Sequence, residues 1–492
     1  MKPIPKLLSK TKLLRGFRCL KAIYLTIHHP ELEPPVDAAT QALFDQGNEV
    51  GREARKYYPD GVLINNQPWD FYGALSTTQR LIENQTTILF EAAFAYQRCY
   101  ARIDILKLNP ETKRFHLIEV KSTTKVKPEH ITDTALQAWI VSKSGIPLEK
   151  ISILHLNSEC RYPHLDNLFK EVDITDEVRA TYLSIQPKLH EIFTTLQQPN
   201  IPNIDIGPYC LLPTVCPFKS HCWQNIPEIS IFNLPQIKNK KWDLYQQGVI
   251  HLSDANAIDF DFSELQTRVL NYEKTGERFI DHDAIQKNLS TWQFPLVFLD
   301  FETVNPAIPR FEGCGPYHHV PFQFSVHVWQ TPNEKTTHTA FLHETNDDPR
   351  ETLIPALLKS CGTSGSIVAY FSQFESERIQ ALADYSQEHK QDLENLITRM
   401  VDPLPIIRDY VYDRAFAGSF SLKSVAPALL GESQSYEGMQ IANGNDAQRG
   451  FEQLISPDIS FKEKEQLKEA MLAYCNKDTE VMVELAKWLF RL

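Results

Sequence analysis

A pair of carboxylates followed by a lysine carries the strongest chemical signal in this sequence. Asp104 lies in an Ile-Asp-Ile segment, and Glu119 and Lys121 lie in the segment Ile-Glu-Val-Lys. Both segments are short, apolar and β-prone, and a turn over 109–113 separates them. Residues i and i+2 of a strand share a face, so Glu119 and Lys121 point the same way and a hairpin brings Asp104 beside them. Two such carboxylates can hold a divalent metal ion, and the ammonium group can stabilise a water molecule or a developing negative charge.

The surrounding elements favour this catalytic interpretation over a solvated hairpin with a surface Glu/Lys pair. Gln137 lies on a predicted helix and can project over the same sheet edge. Glu91 on the first strand is a further candidate ligand, with a surface position as its more frequent alternative. The predicted order is a helix over 37–55, strands over 87–96, 100–108 and 115–120, a helix over 132–144 and a strand over 151–156.

Four cysteines bracket this region. Cys19 lies near the N-terminus, and Cys210, Cys216 and Cys222 follow one another with five intervening residues each. Thiolates hold iron–sulfur clusters in fours, whereas structural zinc sites favour closer Cys-x-x-Cys pairs. The spacing therefore favours an iron–sulfur cluster, with a zinc site as the alternative. The other cysteines are predicted to be ordinary buried thiols: Cys99, Cys160, Cys314, Cys361 and Cys475.

The combination of these motifs resembles the PD-(D/E)xK nuclease superfamily. The likeness is to its RecB-type branch, which includes AddB and the CRISPR-associated exonucleases and carries a cysteine-bound iron–sulfur cluster. Over roughly residues 10–225, the resemblance implies a restriction-endonuclease-like core with a [4Fe–4S] cluster on the four cysteines. It further implies Mg²⁺ or Mn²⁺ on Asp104 and Glu119, catalysis by Lys121 and support from Gln137.

The sequence departs from this branch at two helix positions. Gly51 stands where the branch has a metal-binding His, and Val141 stands where it has a Tyr. The metal site is therefore expected to have one ligand fewer, or to recruit Glu49 or Glu53 as a replacement.

A second acidic set lies in the C-terminal half. Asp300 and Glu302, again at i and i+2, interrupt an apolar run over 296–301 that is typical of a buried strand. Burying two acids is costly unless a cation or strong hydrogen-bond partners are present. Further along, Tyr474 and Asp478 share a face at i and i+4 of a helix. A capping box of Ser460 and Glu463 is expected to begin that helix.

The order Asp-x-Glu, a further acid after a strand, and Tyr-x-x-x-Asp resembles the tyrosine-bearing DEDD exonucleases of the ribonuclease H-like fold. The resemblance implies two metal ions on the carboxylates, Tyr474 orienting the attacking water, and stepwise 3′→5′ removal of nucleotides. Glu375 takes the place of the middle acid, where the family commonly has Asp. Ser372 and Glu375 fit a plain capping box almost equally well, and Asp402 is an alternative helper or a turn residue. Lys423 follows a loop similar to the substrate side of that family and is either a phosphate contact or a solvated lysine.

Length and charge bound the remaining possibilities. A chain of 492 residues implies two or three domains. The predicted boundaries are 1–225, a helical connector over 226–292, and 293–492. The net charge of −12 argues against coating nucleic acid by bulk electrostatics. No apolar run approaches the roughly 20 residues that cross a bilayer, and no secretory signal is visible. We therefore expect a cytoplasmic protein without a membrane partner.

These observations predict an α/β protein with a restriction-endonuclease-like core and an iron–sulfur staple, followed by a ribonuclease H-like α/β domain. The joint arrangement resembles an uncharacterised bacterial two-domain family whose C-terminal half is a domain of unknown function. The resemblances imply a metal-dependent nuclease, in particular an exonuclease, that acts on DNA or RNA in repair or defence. The alternative is a nucleic-acid-binding adaptor in which one or both sites are degenerate.

Overall fold

The structure is a computed structural model that describes residues 5–255 and 258–492. The chain divides into two units. Unit 1 runs to Asn225 and also contains Pro306–Arg310 and Cys314–Tyr317. Unit 2 contains Ile226–Asn305, Phe311–Gly313 and His318–Leu492. Among the described residues, no helix has both the length and the apolar character needed to cross a membrane.

Unit 1 is built on one mixed sheet with helices against it. Its strands are β1 (Leu8–Ser9), β2 (Val62–Leu63), β3 (Ile88–Tyr96), β4 (Cys99–Leu108), β5 (Phe115–Lys121), β6 (Leu148–Leu156) and β7 (Phe169–Asp173). Its helices are α1 (Lys10–Arg18), α2 (Leu20–His28), α3 (Ala38–Lys56), α4 (Phe71–Glu83), α5 (Pro128–Lys143), α6 (Thr175–Thr195) and α7 (Lys219–Cys222). The strand order is β2-β3-β4-β5-β6-β7, with β1 paired to β4.

The predicted order of elements around the first site is confirmed. The predicted helices over 37–55 and 132–144 correspond to α3 and α5, and the predicted strands correspond to β3, β4, β5 and β6. The N-terminal half of β4 pairs with β1, whereas its C-terminal half pairs with β5. This division matters for the site, because α1 begins at Lys10 directly after β1. A two-residue strand is too short to be recognised from sequence periodicity.

Unit 2 contains a five-stranded mixed sheet and a separate two-stranded pair. Its helices are α8 (Lys240–Gln246), α9 (Leu252–Ala255), α10 (Glu264–Thr275), α11 (His282–Leu289), α12 (Arg350–Cys361), α13 (Gln373–Tyr385), α14 (Lys390–Thr398), α15 (Pro403–Tyr410), α16 (Leu422–Leu430), α17 (Gly444–Leu454) and α18 (Phe461–Arg491). Its strands are β8 (Phe279–Ile280), β9 (Leu296–Val304), β10 (Val320–Trp329), β11 (Thr337–Leu342), β12 (Ser366–Val368), β13 (Met400–Val401) and β14 (Val411–Tyr412).

The main sheet of unit 2 has the strand order β11-β10-β9-β12-β13. The pairs β11–β10 and β10–β9 are antiparallel, whereas β9–β12 and β12–β13 are parallel. The strand β9 therefore lies at the centre of the sheet. Its near-continuous apolar sequence fits a position that is covered on both faces.

The segment 226–292 was expected to be a connector, but it packs into unit 2. Leu244, Val269 and Ile285 from this segment belong to the same hydrophobic core as Phe298 of β9 and Leu485 of α18. Each of the short helices α8 to α11 offers only a few apolar residues. Their shared core becomes evident only when the helices are placed against β9 and α18.

The helix α18 begins as the sequence predicts. Ser460 Oγ accepts a hydrogen bond from the Glu463 N–H at 3.3 Å, and the Glu463 carboxylate accepts one from the Ser460 N–H at 3.1 Å. This reciprocal capping box satisfies two N–H groups at the helix end that have no partner within the helix. The helix then continues for 31 residues and carries Tyr474 and Asp478 on its buried side.

The junction between β9 and β12 depends on Gly365. Its backbone φ is +81°, and a Cβ atom built there would lie 1.9 Å from the carbonyl oxygen of Pro295. We expect Gly365→Ala to lower the free energy of unfolding by about 3 kcal/mol or more, because backbone strain and a clash with main chain add together. Equilibrium denaturation in urea measures the loss.

Gly276→Ala is the matched control for this prediction. Gly276 also has a positive φ, of +72°, but a Cβ there meets no atom within 4 Å. Gly276→Ala should lower the free energy of unfolding by only about 1–2 kcal/mol, the cost of a left-handed backbone conformation at a residue with a Cβ atom. Equal losses in the two variants would show that the close approach to Pro295 is unimportant.

Candidate functional site

Three carboxylates lie side by side across neighbouring strands of unit 1. The strands β3 and β4 pair on both sides of Glu91, so Glu91 lies opposite Asp104. The β4–β5 ladder ends at Ile105 and Ile118, one step before Asp104 and Glu119. Like charges placed directly opposite each other destabilise a sheet. Positive charge close to the three carboxylates is therefore needed to offset their mutual repulsion.

The backbone deviates from regular sheet geometry at this point. Glu91 has a φ of +57°, a left-handed conformation that non-glycine residues rarely adopt. Asp104 Oδ2 accepts the N–H of Val120 at 2.7 Å, which fixes its carboxylate at the end of the ladder. Burial, reinforced by the charge of Glu119, raises the pKa of Asp104 well above its ordinary value. Burial likewise raises the pKa of Glu91. A bound cation would favour the ionised form of both groups.

Glu119 is buried and has one satisfied and one unsatisfied oxygen. Its Oε1 accepts hydrogen bonds from Lys10 Nζ at 2.8 Å and from Lys121 Nζ at 2.7 Å. Its Oε2 is buried and has no hydrogen-bond partner among the described residues. An unpaired buried polar atom costs about 1–3 kcal/mol. A carboxylate oxygen of this kind is a hard ligand suited to Mg²⁺ or Mn²⁺.

Asp133 on α5 completes an ion-pair network that the sequence analysis missed. Its carboxylate lies 2.6 Å from Lys121 Nζ and 3.2 Å from Lys10 Nζ. Burial opposes ionisation of Asp133, but Lys10 and Lys121 outweigh it and hold its pKa below the ordinary value. Burial would also lower the pKa of Lys121, but Glu119 and Asp133 raise it above the usual range. Lys121 is therefore a fixed cation.

The predicted residue Gln137 contacts this network through Asp133. Its Nε2 donates to Asp133 Oδ1 at 3.0 Å, and its own Oε1 is buried without a partner among the described residues. Gln137 thus orients Asp133, and Asp133 in turn holds Lys121. The signal that could have revealed Asp133 is its position one helical turn before Gln137 on the same face of α5.

The helix α3 does not supply the missing ligand. Gly47 and Gly51 lie one turn apart, and a Cβ at either position meets nothing within 4 Å. Glu53 pairs with Lys56 at 2.6 Å, and Glu49 is exposed. The structure therefore gives neither glutamate a place among the three carboxylates, and Glu91 is the additional acid beside Asp104.

The four predicted cysteines line one small cavity in unit 1: Cys19, Cys210, Cys216 and Cys222. Cys19 lies at the start of α2, and the Cys216 N–H donates to the Cys210 carbonyl oxygen at 2.9 Å. In the described part of the chain, no three of these sulfurs lie within 4.8 Å of one another. A single tetrahedral zinc ion with Zn–S bonds of about 2.3 Å would hold them about 3.8 Å apart. The four sulfurs are therefore less closely grouped than the ligands of a closed four-thiolate zinc site.

A cavity of about 480 Å³ in unit 2 brings the second set of predicted residues together. The strand β9 supplies two of them, α13 supplies one and α18 supplies two. Five of the residues that line the cavity belong to the predicted set, namely Asp300, Glu302, Glu375, Tyr474 and Asp478.

Burial raises the pKa of every carboxylate in this cavity, and repulsion from neighbouring acids adds to the effect for Asp300, Glu302 and Glu375. Burial, followed by the charge of Asp478, raises the pKa of Asp300 well above its ordinary value and that of Glu302 to about 8. Burial also raises the pKa of Glu375 to about 8. Burial raises the pKa of Asp478 despite a hydrogen bond from Tyr436. Without a cation, the site favours protonated acids.

The capping alternative for Glu375 is wrong. Ser372 makes no side-chain cap at the start of α13. Asp402 takes that role instead, because its carboxylate accepts the N–H groups of Phe371 at 3.1 Å and Ser372 at 3.0 Å. It also caps α15 through the Leu404 N–H at 2.8 Å. Asp402 is thus a cap residue, and Glu375 keeps a buried Oε2 with no hydrogen-bond partner among the described residues.

Tyr436, which the sequence analysis did not consider, and Lys423, which it left as a phosphate contact or a solvated lysine, contact the aspartate and the tyrosine of this site. Tyr436 Oη donates to Asp478 Oδ1 at 2.7 Å. Lys423 Nζ donates to Tyr474 Oη at 3.0 Å and to the Ala442 carbonyl oxygen at 2.5 Å. Lys423 also lies over the rings of Tyr474 and Tyr436, so it is not the solvated lysine of the simpler expectation.

Comparisons with known proteins find a domain family that matches part of the chain and a remote likeness to a solved structure. Residues 297–421 match a family described as a domain of unknown function (DUF2779). No curated protein matches the chain. An alkaline exonuclease from Laribacter hongkongensis is similar at 13% identity over 39% of this chain and 90% of its own, with a TM-score of 0.24. Function is therefore inferred from the geometry of the two sites.

The raised pKa of Glu302 predicts a pH-dependent stability in the metal-free protein. Its pKa moves from an ordinary value of 4.5 to about 8 on folding. Its contribution to stability is therefore fully present below pH 4.5 and is lost as pH rises through about 8, because the unfolded chain releases the proton first. Thermal unfolding in a chelator between these two pH values should show a falling Tm.

Glu302→Gln, which stays neutral, should flatten this pH dependence and raise the Tm at the alkaline end. The exposed Glu377 on α13 provides the control, since Glu377→Gln should leave the profile unchanged. If the Tm of Glu302→Gln fell with pH as steeply as that of the parent, the pH dependence could not be attributed to the raised pKa of Glu302.

Proposed function

We propose that the protein is a metal-dependent nuclease that cleaves phosphodiester bonds in DNA or RNA, with one site in each unit. The observation that carries the proposal is the buried, unpaired Oε2 of Glu119 beside the carboxylate of Asp104 and the ammonium of Lys121. Phosphodiester hydrolysis requires an activated water and positive charge on the phosphoryl oxygens. Unit 1 offers both kinds of group within one buried network.

Asp104 and Glu119 are the residues that would hold Mg²⁺ or Mn²⁺ in unit 1, with Glu91 as a third carboxylate. A divalent ion at such a site polarises the phosphate and lowers the pKa of a bound water. Lys121 stays protonated between Glu119 and Asp133 and serves as the fixed positive charge for the phosphoryl oxygens.

Lys10 has a positioning role in this proposal. It shares Glu119 Oε1 with Lys121, so two ammonium groups occupy that oxygen and leave Oε2 for a metal ion. Gln137 completes the support by holding Asp133, which binds both lysines.

We assign unit 2 to the ribonuclease H-like fold and to exonuclease chemistry. Support comes from its strand order, with three antiparallel strands followed by two parallel ones. Asp300, Glu302, Glu375 and Asp478 would hold the metal ions there. Tyr474 Oη, oriented by Lys423 Nζ at 3.0 Å, would position the attacking water.

A helix end beside the same cavity supports binding of a phosphate group. Asn443 and Gly444, at the start of α17, line the cavity with Asn445. A Cβ at Gly444 would lie 3.6 Å from Glu302 Oε2, so this part of the helix N-terminus lies close to the acids. Backbone N–H groups at a helix N-terminus favour anions such as phosphate.

The nuclease proposal is tested one unit at a time with full-length protein. In a background carrying Asp300→Ala, any remaining cleavage of single- or double-stranded DNA or RNA with Mg²⁺ or Mn²⁺ should come from unit 1. Asp104→Ala in that background should abolish cleavage by removing a metal ligand. Lys121→Ala should retain metal binding and lose roughly 100-fold or more in rate, because a charge-stabilising group is gone.

Cleavage unaffected by Asp104→Ala would contradict the assignment of the unit 1 site. Unit 2 is tested in the same assay by comparing Asp104→Ala with the double variant that also carries Asp300→Ala. Cleavage that remains in Asp104→Ala and is lost in the double variant would come from unit 2. Nucleic-acid binding without cleavage by the parent protein would favour the adaptor alternative.

We also propose that the four cysteines hold an iron–sulfur cluster of the [4Fe–4S] type. Support comes from their convergence on one cavity, in which no three of the sulfurs lie within 4.8 Å of one another among the described residues. The cluster would close the N-terminal and C-terminal ends of unit 1 on each other. It would act structurally, since Cys19 and Cys222 lie at opposite ends of that part of the chain.

Anaerobically purified protein should be brown and contain iron that Cys216→Ser largely removes. The same variant should lower the thermal stability of unit 1, because the ends of the unit are no longer tied together. Cys99→Ser, at a buried thiol outside the cavity, should retain the iron. Stoichiometric zinc without iron in the parent would contradict the proposal.

A further inference from the structure

A sulfur atom lies among the carboxylates of unit 2. One carboxylate oxygen of Asp300, one of Glu302 and the Sγ of Cys475 all lie within 4.8 Å of one another. The Sγ atom is 3.7 Å from Asp300 Oδ2 and 3.8 Å from the Asp300 carbonyl oxygen. The sequence predicts only an ordinary buried thiol at this position.

Packing alone does not account for this placement. A free buried cysteine usually behaves as a small hydrophobic residue among apolar neighbours. Cys475 is fully buried, yet its electrostatic neighbours are the carboxylates of Asp300, Glu302 and Asp478. It follows Tyr474 directly on α18 and precedes Asp478 by three residues, so the helix carries all three to the same region.

A second and independent observation indicates that a ligand belongs here. Glu375 comes from α13 and is 4% exposed. Its Oε2 has no hydrogen-bond partner among the described residues, and the residue lines the same cavity as Asp300 and Glu302. A buried carboxylate oxygen without a partner is costly unless a cation or a hydrogen-bond donor reaches it.

We propose that Cys475 is a metal ligand, and that unit 2 binds a thiophilic divalent ion of the zinc class on Asp300, Glu302 and Cys475. The inference deepens the proposed function, because it concerns the metal preference of the same carboxylates. Mg²⁺ selects oxygen ligands, whereas Zn²⁺, Co²⁺ and Cd²⁺ accept a thiolate together with carboxylates. On coordination, the thiol releases its proton to solvent as the sulfur–metal bond forms.

The consequence is competition between two classes of ion at one site. Mg²⁺ or Mn²⁺ would use the carboxylates alone, whereas a zinc-class ion would gain the sulfur as an additional ligand. The zinc-class ion should therefore displace Mg²⁺ or Mn²⁺ from unit 2 even when it is much scarcer. The unit 1 carboxylates Asp104 and Glu119 have no cysteine in a comparable group among the described residues.

Cobalt binding provides a readout that does not depend on catalysis. Full-length anaerobic protein is titrated with Co²⁺, and the charge-transfer absorption of a thiolate–cobalt bond is recorded as a difference spectrum against Cys475→Ser. Iron content is measured in each sample, so that the compared samples have the same occupancy of the four-cysteine site and the same absorption from it. The parent should show a band that Cys475→Ser lacks, and added Zn²⁺ should abolish it.

Cys361→Ser is the matched control, because Cys361 is another buried free thiol of unit 2 that packs in an apolar core. It should keep the band. Cys475→Ser should weaken Zn²⁺ binding by at least about 10-fold, the lower end of what loss of an outer-shell partner costs. Asp300→Asn, which keeps the thiol but removes a ligand charge, should also lose the band and serves if Cys475→Ser fails to fold.

An unchanged band in Cys475→Ser, or cobalt bound to unit 2 without a thiolate band, would overturn the inference. Its failure is separable from failure of the proposed function. A parent protein that shows the band but cleaves no phosphodiester would contradict the nuclease proposal alone. A parent that cleaves with Mg²⁺ or Mn²⁺ but lacks the band would contradict the role of Cys475 alone.

Discussion

Carboxylates that are buried side by side are the constraint on which both units depend. Removing a carboxylate from water is costly, and placing a second one beside it adds repulsion. In unit 1 the strand register sets Asp104 between Glu91 and Glu119. In unit 2 the central strand presents Asp300 and Glu302 together. Packed sheets can hold such unfavourable groups because the surrounding hydrogen bonds and apolar contacts fix the backbone.

The two units offset this cost differently. In unit 1, Lys10 and Lys121 pair with Glu119 and Asp133, so much of the negative charge is already balanced within the protein. In unit 2, Lys423 offsets part of the charge on Glu302, yet the acids keep strongly raised pKa values. Unit 1 is therefore a preorganised site with a fixed cation. Unit 2 leaves more of its negative charge without an offsetting cation among the described residues, so a bound cation would contribute more to its local stability.

Cysteines occur in the two units in contrasting surroundings. The four cysteines of unit 1 enclose their own cavity and bring together chain segments far apart in sequence. Cys475 lies instead beside the carboxylates of Asp300 and Glu302, where a sulfur would change which ions a metal site prefers. Spacing along the chain reveals the first arrangement but not the second.

The sequence by itself determined the groupings that lie within one element. Periodicity of two placed Glu119 with Lys121 and Asp300 with Glu302, and a helical turn placed Tyr474 with Asp478. Tertiary structure alone decided the partners that come from distant elements. Lys10 reaches Glu119 through the short strand β1, and Cys475 meets Asp300 where α18 crosses β9. Local periodicity records which face a side chain occupies, whereas contacts between remote elements follow from packing of the whole core, which no short sequence window contains.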